Sequence, residues 1–485
     1  MNASADPVTI ALTGMWPFIM ISSAVLTFPA SALLLGVYRR AVVRGMNASR
    51  AGNIPSAPAT ARSAAPAMPL RFVSLNANAA SPSHLPGPWH AAAVYLAAGA
   101  AYALTMTAAW LLATRDHQIG PIKVIFIFWS YYWPAMLAVI LVAAEDRARK
   151  ASVVLGYFAA YVALTVVELT LSPEFTWKQA AGFWIIQNAP ATVLLYLFLM
   201  RRIRSVGPLV LVFAIVALLG SELAISFLGA SDARMSTAVE IGSAIGLGGI
   251  GVFVATLLLG FLVFALLGWM VLRWIGARYA AKKLSDESLT ADAIFLIFAI
   301  NASIGLVFQH WMWIAAALVG FAAYKAIAQI GFRLIPKTSS PKRLLLLRVF
   351  ALGARSEPLF DVVRKQWLRG GSIAMIAGPD LVTSAVQPHE FLGFLSGQLS
   401  RTFIDDDASL ERRVAAIDPQ SDPDGRYRVT EFFCHVDTWQ RTMRRLVAVS
   451  DAVLMDLRSF SASNQGCVYG SGGCSTRSTL GAWCS

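Results

Sequence analysis

The sequence predicts a multi-pass α-helical membrane protein of about nine spans, followed by a soluble α/β domain with a mostly parallel sheet. Three observations predict it. Hydrophobic residues make up 57% of the 485 and charged ones only 14%, with a positive mean hydropathy. Apolar runs recur at the length of about 20 residues that a helix needs to cross the hydrocarbon core. Beyond Lys337 those runs shorten and alternate with segments of helical period, the pattern of an α/β sheet.

The spans are expected near 10–37, 89–113, 122–144, 152–172, 180–200, 206–228, 245–272, 291–308 and 311–332. Helices are implied because unpaired backbone groups are too costly in lipid and the runs lack the alternation of barrel strands. The last two are joined by little more than Gln309 and His310 and together are too long for one span. Met1 to Met15 has no basic residue ahead of its apolar run, unlike a cleaved signal peptide, so the first span is expected to be retained.

A formal charge of +13 raises the question of nucleic acid, and the placement of the basic residues answers it. They sit beside the spans: Arg39, Arg40 and Arg44; Arg147, Arg149 and Lys150; Arg201, Arg202 and Arg204; Arg273, Arg278, Lys282 and Lys283. This is the bias that orients spans, not a nucleic-acid footprint. With the N-terminus outside, these groups and those after Arg333 fall on the cytoplasmic side. An inner (plasma) membrane protein with a cytoplasmic C-terminal domain is the expected placement, and the lipid bilayer is its first partner.

Residues 1–336 form the expected membrane domain. Its long loop 45–88, rich in Ala, Pro, Ser and Asn, has no apolar period and reads as a flexible linker. Residues 337–469 form the α/β domain. Leu344–Leu352 suits a strand buried on both faces, with Ser356 and Glu357 opening a helix that carries Phe360, Val363 and Trp367. Ser372–Ala377, Tyr427–Cys434 and Ala452–Leu457 read as further strands. Phe391, Leu395 and Leu399 repeat at helical spacing, and Asp437 is placed to cap a helix carrying Trp439, Met443 and Leu446. The tail 470–485 has neither period. It is read either as a disordered end or as a replacement of the native continuation, for instance by a reading-frame shift.

Gly246-x-Gly248-Gly249-x-Gly251 has the outline of a dinucleotide fingerprint but opens a membrane span; with Gly242 it is read as a close helix-packing motif. Glu168 and Glu222 lie inside spans, where an ionised carboxylate costs about 2.5–3.5 kcal/mol at the bilayer centre. Both sit near the outer ends of their spans, within reach of headgroup water. Gln187 and Asn188, just before Pro190, either line a cavity or bond a neighbouring helix. No metal is expected, because the Cys and His residues lack zinc spacing, and the aspartates at 405–407 and 418–424 read as solvated loops. The four cysteines, at 434, 467, 474 and 484, make no disulfide framework. No cofactor is identifiable, and neither a phosphate-loop lysine motif nor a Gly-x-Ser-x-Gly elbow is present in the soluble domain.

In open parallel sheets, ligands bind beyond the carboxyl ends of the strands. That selects Asp380, Asp437, Asp456 and Arg458 as candidate ligand-binding residues, against capping and turn chemistry as the alternative. Ser450-Asp451-Ala452-Val453-Leu454-Met455-Asp456-Leu457-Arg458-Ser459-Phe460, with Ser463 and Cys467 following, resembles the strand and loop of TIR-type and related nucleotide-sensing domains. The resemblance covers about twenty residues. It implies an α/β fold with a nucleotide or protein partner, and in many members NAD cleavage. The family's catalytic glutamate follows the Cys-containing segment, whereas Val468–Ser471 and the residues after them carry no acid here. The expected function is therefore nucleotide sensing or protein interaction in signalling, with a transporter or a membrane-tethered hydrolase as alternatives. Convergence of the intramembrane polar groups on one cavity would favour transport, and scattered placement anchoring.

Overall fold

The computed structural model describes residues 7–48, 88–115, 120–143, 147–198, 206–307, 309–335, 341–348, 367–377, 399–417, 420–435, 437–456 and 482–483, with single positions at 363, 391, 394 and 397. The chain divides into two compact units, one of Met1–Leu33 and Pro88–Leu334, the other of Leu34–Gly87 and Ile335–Ser485.

The first unit is helical: α1 (Pro7–Asn47, to Leu33), α2 (Pro88–Thr114), α3 (Pro121–Tyr131), α4 (Trp133–Val142), α5 (Arg147–Leu171), α6 (Trp177–Phe198), α7 (Gly207–Gly229), α8 (Asp232–Ala244), α9 (Gly249–Ala280), α10 (Asp286–Val307) and α11 (Ala315–Leu334). Among the described residues seven helices are long and apolar enough to cross a membrane, or eight with the bent pair α3–α4 as one span. The remaining expected span corresponds to α6, whose middle is made polar by Gln187 and Asn188. The narrow connection after α10 is a 3₁₀ turn, Trp311–Ile314, opened by His310, whose Nδ1 accepts from the Met312 N–H at 3.2 Å.

The glycine motif differs from its sequence reading. Gly246 lies in the turn between α8 and α9 at φ +78, a left-handed conformation that glycine adopts without a steric cost. It therefore does not share a helix face with Gly242. Gly242 itself packs closely on α9, where a Cβ would strike Val252, and a second close approach joins α7 to α9: a Cβ at Gly260 would strike the Gly220 carbonyl, and the Ser221 hydroxyl donates across to Leu257 O at 3.1 Å.

In the second unit, β1 (Lys342–Arg348), β2 (Gly371–Ile376), β3 (Phe403–Ile404), β4 (Val429–Cys434), β5 (Ala452–Asp456) and β6 (Ala482–Trp483) form one parallel sheet in the order β3-β4-β2-β1-β5-β6. Among the described residues two complete helices accompany it, α12 (Asp407–Ala415) and α13 (Trp439–Val449). Because strand side chains alternate, each long strand feeds two cores. Leu345, Leu347, Ile376, Phe432 and Val453 pack with Leu410 and Val414 of α12 and Met443 and Leu446 of α13. Leu344, Leu346, Ile373, Met375 and Val429 face the other way, toward Val363, Trp367 and Leu368.

That second face has an unexpected cover. Tyr38, Val42 and Met46, one helical turn apart on α1, bury against Ala377, Phe403 and Phe433. Residues 34–47 of α1 thus form part of the α/β unit. Most of the loop 45–88, from residue 49 to residue 87, lies outside the described residues, as do Ser356, Glu357 and Phe360. Within the tail, the described Ala482–Trp483 pairs with β5.

Candidate functional sites

Each unit holds polar groups in apolar surroundings. In the helical unit, two prolines explain many of them. Pro134 begins α4 and has no N–H to return to Ser130 O, four residues back. Asn188 Nδ2 donates to that carbonyl at 3.1 Å. Pro190 likewise leaves Ile186 O without its helical donor, and Asn301 Nδ2 of α10 donates to Ile186 O at 3.1 Å and Gln187 O at 2.9 Å. Asn188 therefore closes the break in one helix while Asn301 closes the break in its own. Backbone freed by proline in lipid must find partners of this kind, because no water is there to supply them.

Aromatic residues surround the first break. Trp133 Nε1 donates to Thr192 Oγ1 at 2.9 Å, Trp184 Nε1 to Tyr157 OH at 3.1 Å and Tyr157 OH to Trp129 O at 3.1 Å. The Trp129 and Tyr157 rings stack with centroids 5.6 Å apart. These side chains fill the space between α3–α4, α5 and α6. Gln187 is buried beside Gly305, and its Oε1 has no hydrogen-bond partner among the described residues.

The two intramembrane glutamates do not join this network. Glu168 is buried, where the sequence suggested contact with headgroup water, and accepts at 2.9 Å from Ser172 one turn along α5. Glu222 accepts at 3.4 Å from Ser226, one turn along α7. Sequence reasoning missed a third polar group: Lys325 of α11 forms an ion pair with Asp292 of α10, and Tyr324 OH donates to the other Asp292 oxygen at 3.1 Å. Opposite charges within two neighbouring apolar runs were the signal for it.

In the α/β unit, the four long strands have the spatial order third-second-first-fourth. From β1 the chain proceeds toward β2, and from β5 toward β6 on the other side, so the strand order reverses between β1 and β5. In open doubly wound sheets that reversal opens a crevice at the carboxyl ends of the strands. Asp456 ends β5 there, in register with Arg348 of β1. Asp437 lies elsewhere, exposed in the turn after β4; two strands intervene between β4 and β5, a separation of about 14 Å at ordinary strand spacing. The N-cap of α13 is Thr438, not Asp437, and Thr438 Oγ1 accepts the His435 N–H at 2.9 Å. Asp380 and Arg458 lie outside the described residues, as does the TIR-like segment beyond Asp456.

The aspartates at 405–407, read from sequence as a solvated loop, have three separate partners. Asp405 Oδ1 is 2.9 Å from His435 Nε2. Asp406 is the N-cap of α12, accepting from the Ser409 N–H at 2.7 Å, and that bond holds its carboxyl below the ordinary carboxylate range. Asp407 faces Arg441 at 3.4 Å. The second acidic run is also structural where described: Asp422 is buried in a bidentate pair with Arg428 at 2.8–2.9 Å. Among the described residues no group of three His, Cys, Asp or Glu side chains is arranged to hold a metal ion. Burial pushes the Cys434 thiol up to about 11. No family model, curated protein or solved structure matches the chain.

Proposed function

We propose that this protein is a membrane-anchored sensor whose α/β domain binds a nucleotide at the carboxyl edge between β1 and β5. The observation that carries the reading is the reversal of strand order at that edge, with Asp456 at its rim. The likeness of 450–467 to nucleotide-sensing domains agrees with it, since that segment begins with β5. A carboxylate at a strand end suits the hydroxyls of a ribose, and backbone amides at strand-to-helix turns suit phosphate. Binding asks for no catalytic acid after Cys467, so NAD would be bound and not cleaved.

In this reading α6 crosses the bilayer with the others, giving nine spans, an outside N-terminus and a cytoplasmic α/β domain in the inner membrane. The basic residues after alternate spans support that orientation. The scattered pairing of Glu168, Glu222 and Asn188 supports anchoring over transport, because these groups are engaged with their own or adjacent helices.

The test is calorimetric titration of the full chain in lipid nanodiscs with NAD and with ATP, beside an NAD-consumption assay. Binding without turnover is expected, weakened about tenfold, or about 1.4 kcal/mol, in Asp456→Asn. Binding that is unaffected by that substitution would move the site. Absence of binding to either nucleotide would leave a protein-interaction module.

A further inference from the structure

We infer that His435 and Asp405 form a proton-dependent clasp that holds the end of α1 on the α/β sheet. His435 follows β4 and is 5% exposed. Its Nδ1 lies 2.6 Å from the carbonyl oxygen of Gly45, in the last turn of α1, and its Nε2 lies 2.9 Å from Asp405 Oδ1, just after β3. The Phe403 ring stacks on the imidazole at 5.1 Å. Neither nitrogen is left to face a ligand, so His435 is not placed as a general base.

The donor count is what makes the contact depend on a proton. A carbonyl oxygen accepts only, and so does an ionised carboxylate, whereas a neutral imidazole has a single N–H. With Asp405 ionised and the ring neutral, one ring lone pair must face an oxygen at hydrogen-bond distance. The arrangement is satisfied when the pair carries one further proton, taken from solvent, which makes the ring an imidazolium. The C-terminal end of a helix favours that cation, because the dipoles of its last carbonyls point outward, and the Gly45 carbonyl, which also accepts from the Ala48 N–H at 3.2 Å, keeps a lone pair for the ring.

Charged groups on the surrounding elements are engaged in other ways. On α1, Arg44 precedes Gly45 and is exposed. At the start of α12, Asp406 caps the helix and Asp407 faces Arg441. On the approach to α13, Thr438 holds the His435 backbone and Asp437 is exposed.

Gly45 gives independent support for a built contact. A Cβ there would come within 2.5 Å of the Phe403 ring, itself packed between Phe433 and His435, so only glycine lets this turn lie flush on the sheet. Removing the shared proton at higher pH would take away one of the bonds that hold the end of α1 and loosen 38–48, where Tyr38, Val42 and Met46 also pack against the sheet. The inference does not depend on what the β1–β5 edge binds.

The experiment is hydrogen exchange of the full chain in nanodiscs at about pH 5.5 and about pH 8.5, corrected for intrinsic rates. The wild-type peptide over 38–48 is expected to exchange roughly threefold or more faster at the higher pH, while the α12 and α13 peptides stay unchanged. His435→Leu should exchange fast at both. Asp405→Asn is the sharper variant: its amide can donate to Nε2, a neutral ring then satisfies both contacts, and protection should persist at the higher pH. Equal wild-type protection at both pH values, or an Asp405→Asn variant that still loosens, would overturn the clasp.

Discussion

The helical unit and the α/β unit solve the same problem, a polar group away from water, by different means. Between the helices, partners come from side chains on the neighbouring element: Asn188 and Asn301 at proline breaks, Lys325 for Asp292. In the sheet the backbone pairs with itself, and side-chain carboxylates are left to cap, to bridge helices or to hold His435. The difference teaches that residue type alone does not mark function here. The sequence left Asn188 either lining a cavity or bonding a neighbouring helix, and both asparagines repair the backbone.

The comparison breaks most visibly at the ion pair. Asp292→Ala should destabilise the helical unit by about 2–3 kcal/mol, because the half-buried Lys325 is left without its ion-pair partner, and Asp292→Leu with Lys325→Met should recover most of that loss. Denaturant titration in detergent measures both. Equal loss in the single and double variants would mean that the aspartate, not the pairing, matters.

A smaller effect is expected at the proline breaks. Asn301→Leu should cost about 1–2 kcal/mol. With Pro190→Ala present the helix can supply its own donor to Ile186 O, so the same substitution should then cost much less. A double-mutant cycle reads this coupling, and additive losses would separate Asn301 from the kink.

The sheet side is sharpened by acid. The Asp406 carboxyl is held low by its bond to the Ser409 N–H, so its contribution is complete above the ordinary carboxylate range. It is lost as pH falls through the folded value. Thermal melts in acid should therefore show a shallower decline for Asp406→Ala than for wild type; identical slopes would rule out the cap as a source of acid lability. The least effect is chemical: Cys434, buried and with its thiol raised to about 11, should resist maleimide near neutral pH in peptide-level mass spectrometry until the unit unfolds.

Much of this was legible in the sequence, and the gaps have physical reasons. β1, β2, β4 and β5 were readable because strands buried on both faces are nearly continuous apolar runs. β3, with two residues, is shorter than any repeat of a pattern. α12 was hidden by its own cap, since Asp405-Asp406-Asp407 has the composition of a loop. The span reading ended α1 at residue 37 because Arg39 and Arg40 follow, but a helix leaving the membrane need not stop there; Tyr38, Val42 and Met46 carry the period onward. Asp456 was placed at the informative edge by its position after a strand. The contact of His435 with Asp405, 30 residues away, and with Gly45, 390 away, depends on tertiary structure and has no local signal.

The claim that ligand recognition belongs to the carboxyl edge of the sheet, while the intramembrane polar groups are scaffold, is tested most directly by hydrogen exchange of the full chain with and without saturating nucleotide. Protection is predicted at 346–348 and 452–456, with α6 and α10 unchanged. Protection around Gln187, Asn188 and Asn301, with none at the ends of β1 and β5, would contradict it.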